Sequence, residues 1–133
     1  MNLFETRVLT TELADMELDS LGILTLKTKP VELTENNICE TFDLVKQTTN
    51  GKKLPILVDN SLSAPYDSKL NNLMEEQVNQ IATGIAVLSN STVSLLIVKV
   101  FLSLKKTPVP IKIFKSRKNA MSWLRSNELQ MLN

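Results

Sequence analysis

The chain has 133 residues, a net charge of +1, no histidine and a single cysteine. This length suits one domain, residues 1–133, whose core runs from about 14 to 127 and folds without disulfides or a structural metal. Without histidine there is no Ser-His-Asp or Cys-His relay and no His-ligated metal site, and a lone Cys39 forms neither an intrachain disulfide nor a CxxC pair. The amino terminus lacks a basic stretch followed by an apolar run, and the most apolar segment, 92–104, carries Lys99 and is too short to span a bilayer. The expectation is a cytoplasmic protein with no integral membrane segment.

In chain order, residues 5–11 are read as an additional strand. Residues 14–29, ADMELDSLGILTLKTK, alternate as a hairpin: Met16 and Leu18 share one face, Glu17 and Asp19 the other, and Ser20-Leu21-Gly22 forms the turn. Thr34 is the N-cap of a first helix that carries Ile38, Phe42 and Val45 at helical spacing and stops at Asn50-Gly51. Residues 54–59 form an almost continuous apolar run, the pattern of a strand covered on both faces. A second helix carries Leu70, Leu73, Met74, Val78 and Ile81, and residues 83–89 form another buried strand. A further helix starts at about Ser91 and is stopped by Pro108 and Pro110. IKIF, residues 111–114, is the last strand, and Ser116 caps a final helix with Ala120, Trp123 and Leu124. This order predicts an α/β fold: a mainly parallel mixed sheet, an antiparallel N-terminal hairpin and four helices.

The order of elements, GILTLK and KPVELT before the first helix, PILVD with a serine two residues beyond its aspartate, and KIFKSRKNAMSWL near the end resemble the STAS domain. This is the fold of anti-sigma-factor antagonists and sulfate-transporter tails, and the chain is most similar to small uncharacterised bacterial STAS-like proteins. In the antagonists the corresponding strand ends in an Asp-Ser-Ser-Gly-like turn whose second serine is phosphorylated to switch partner binding. The resemblance places Asp59 on that aspartate and Ser61 on the phosphoacceptor. Leu62 stands where the family has glycine, and Ser63-Ala64-Pro65-Tyr66 makes the segment longer. The same residue types also suit a plain strand-to-helix turn. Asp59, Ser61 and Ser63 are therefore the regulatory candidates, and the 59–66 loop the candidate contact for a protein partner. With no histidine, and with Gly22, Gly51 and Gly84 too scattered for a phosphate-cradling loop, no cofactor, no metal and no enzyme activity are expected.

Charge is unevenly spread, six basic against ten acidic residues in 1–60 and nine against four in 61–133. That excess is small and lacks aromatic platforms, so no nucleic-acid partner is expected. Cys39 reads as a small hydrophobe, and Glu75-Glu76 as a solvated pair. In the helix expected from Ser91, Leu95, Val98 and Leu102 form a second apolar stripe opposite the core-facing one. Self-association as a homodimer through that stripe is the preferred reading. The expected function is a non-catalytic STAS-like interaction and regulatory module. The alternative is a carrier or sensor of an apolar small molecule or lipid, as in the Sec14-type carriers.

Overall fold

The structure, a computed structural model, describes residues 6–59, 68–88 and 109–126. Six strands form one sheet in simple sequence order: β1 (Arg7–Thr10), β2 (Ala14–Leu18), β3 (Leu24–Thr28), β4 (Leu54–Asp59), β5 (Ala82–Leu88) and β6 (Ile111–Phe114). The first three strands pair antiparallel and β3 to β6 pair parallel. Among the described residues there are three α-helices, α1 (Glu35–Thr48), α2 (Asn71–Ile81) and α3 (Arg117–Leu124), against the four expected. The helix expected from Ser91 falls outside the described residues.

Local chemistry explains the element ends. Thr34 accepts from the Asn37 backbone N–H while the Asn37 side chain accepts from Thr34 N–H, closing a capping box on α1. Asn50 and Gly51 both take positive φ where α1 stops, the left-handed conformation that glycine and asparagine tolerate. In the β2–β3 turn Gly22 has φ 87°. Asp19 is not a strand residue, since β2 ends at Leu18; its Oδ1 accepts from the backbone N–H groups of Leu21 and Ile23 and holds the turn. A short 3₁₀ turn, Ser68–Leu70, leads into α2. The fifth strand starts one residue earlier than expected, because Ala82 caps α2 in an extended conformation and so belongs to both elements.

Alternation along the strands divides the core in two. Met16, Leu24, Ile56, Val58, Ile85 and Val87 meet Ile38, Phe42, Val45, Met74, Val78 and Ile81 of α1 and α2. On the second face Leu57 and Ala86 meet Ala120 and Leu124 of α3, with Phe114 and Trp123 half-buried beside them. β4 is therefore covered on both sides, which is why its sequence does not alternate. A buried polar chain ties the β1–β2 turn to α1. Thr41 donates to the Asn37 carbonyl at 2.8 Å, so Thr11 donates to Thr41 Oγ1, also at 2.8 Å, while accepting from Ala14 N–H.

Candidate functional site

Parallel pairing brings the carboxyl ends of β3 to β6 to one rim of the sheet. Lys27, Asp59, Leu88 and Phe114 lie in one register row there, each the neighbour of the next. They point to the second face, the same side as Leu57 and Ala86. The row changes character along its length. Phe114 and Leu88 pack against the α3 cluster, whereas Asp59 and Lys27 lie towards the hairpin half of the sheet, β1 to β3. That half carries Asp15, Glu17 and Thr25, which with Val8, Asp59, Arg117 and other neighbours line an open groove.

The last helix starts at this rim because Arg117 follows the end of β6 by three residues. Ser116 caps α3 by accepting from Asn119 N–H at 3.3 Å. The first turn of α3 holds no acidic residue, while Lys115, Arg117 and Lys118 cluster at its positive end. A helix dipole disfavours that arrangement. Asp59 supplies the counter-charge from β4: Arg117 Nη2 donates to Asp59 Oδ2 at 3.4 Å. The Asp59 side chain is 20% exposed and that of Arg117 53%, so solvent screens the pair and its own contribution is small.

Of the candidates named from sequence, Asp59 is the one described, and it stands half-buried at the end of a strand whose interior is largely buried. Ser61, Ser63, Leu95, Val98 and Leu102 lie outside the described residues. Arg117 was missed as a partner for Asp59, since the two are 58 positions apart. Its signal in the sequence was present: a helix whose first turn collects cations and no carboxylate. Cys39 is half-buried on α1. Among the described residues no three His, Cys, Asp or Glu side chains are grouped to hold a metal ion. None of the described helices is long and apolar enough to cross a membrane.

A second feature bears on the alternative reading. Between α1, α2 and the sheet lies a cavity of about 70 Å³, lined by Leu26, Leu33, Phe42, Ile56, Met74 and Ile81, among others. An engineered apolar cavity that admits benzene measures about 150 Å³.

A comparison with curated proteins finds no match. Among solved structures, the chain is similar to an uncharacterised protein of the DUF3478 family from Shewanella loihica PV-4, which has a SpoIIAA-like fold, at 16% identity and a TM-score of 0.57. The match covers 90% of this chain and 91% of that one. It shows the SpoIIAA-like, STAS-type fold that the resemblance implied, and at this identity it speaks for the fold alone. A family model described as a domain of unknown function, DUF7793, matches residues 16–128, and the chain belongs to that family.

Proposed function

We propose that this chain is a non-catalytic, STAS-like regulatory module that binds a protein partner at the corner following Asp59 and is switched by phosphorylation of Ser61. The observation that supports it is the Asp59–Arg117 pair at the carboxyl rim of the sheet. Two residues of chain reach at most about 7 Å, so the covalent chain keeps Ser61 within that span of Asp59, which offsets the cations of the α3 start. A phosphate adds about −1.5 to −2 charges and suits a helix N-terminus rich in arginine and lysine. Such a group would compete with Asp59 for Arg117 and change the charge presented to the partner. The single Cys39 and the composition fit a reducing, cytoplasmic setting.

The test is partner recovery with wild type, Ser61→Ala and Ser61→Glu, each checked by thermal melting. Ser61→Glu is expected to lower recovery at unchanged melting temperature, with Ser61→Ala like wild type. Equal recovery from all three defeats the switch.

Self-association through Leu95, Val98 and Leu102 belongs to the same proposal. Each aliphatic side chain contributes about 1.5–3 kcal/mol if fully buried, against several kcal/mol of lost rigid-body freedom. Three side chains alone give a weak pair, so adjoining surface must contribute to a stable two-fold dimer. The alternative, an apolar-ligand carrier, draws support from the apolar lining of the space between α1, α2 and the sheet.

A further inference from the structure

We draw no further inference here: the strongest candidate, the charged groove at the carboxyl rim where Asp15, Glu17 and Lys27 on the open half of the sheet adjoin Asp59 and Arg117, is an acidic cluster beside a helix N-terminus with no second observation that points to a ligand.

Discussion

Leu124 anchors α3 to the sheet. It is 2% exposed and shares the second core with Ile23, Leu57, Ala86 and Ala120. Leu124→Ala removes the side chain beyond Cβ, about three buried carbons at about 0.8 kcal/mol each, or about 2.4 kcal/mol of transfer free energy. The cavity left behind adds to this, so about 3 kcal/mol is expected, within the range of buried Leu→Ala changes. An isolated helix as short as α3 is not stable in water, so α3 persists only while docked. Trp123 is the chain's only tryptophan and lies on α3 with its ring 5.7 Å from that of Phe114. Its fluorescence therefore follows α3, while far-UV ellipticity follows the whole fold. In urea the two signals are expected to move together. With a slope of about 2 kcal/mol per molar, the midpoint falls by about 1.5 M. A shift below about 0.5 M would refute the burial argument. A Trp123 transition that precedes the loss of ellipticity would show that the second face lies outside the cooperative unit.

Thr41→Val takes away the acceptor for the Thr11 hydroxyl, whose remaining acceptor is the Ala14 carbonyl at 3.5 Å. Urea denaturation is expected to show a loss of about 1–2 kcal/mol; a neutral change would mean that Thr11 finds another partner. Asp59→Asn should cost no more than about 1 kcal/mol, and less at high salt, because the Arg117 pair is screened. A loss above about 2 kcal/mol in the same assay would contradict that. Leu102→Glu is expected to convert a dimer into a folded monomer, read by light scattering and circular dichroism; a monomeric wild type or an unchanged mutant dimer overturns the proposed self-association.

The alternation of strands and helices, the hairpin turn at Gly22 and the caps Thr34 and Ser116 were legible in the residues because each rests on contacts within a few positions. The same holds for the apolar stripes of α1 and α2 and the almost continuous apolar run of β4. Asp19 shows the limit of period-2 reading: it continues the alternation of β2, yet its carboxylate serves the turn. Ala82 shows another, since no turn residue marks a helix that passes directly into a strand. The strand order and the division of the core between two faces come from burial between distant segments, which local patterns do not encode. The meeting of Asp59 with Arg117 is of that kind. It follows from parallel strands ending at one rim and from α3 starting there, and neither residue's neighbours announce the other.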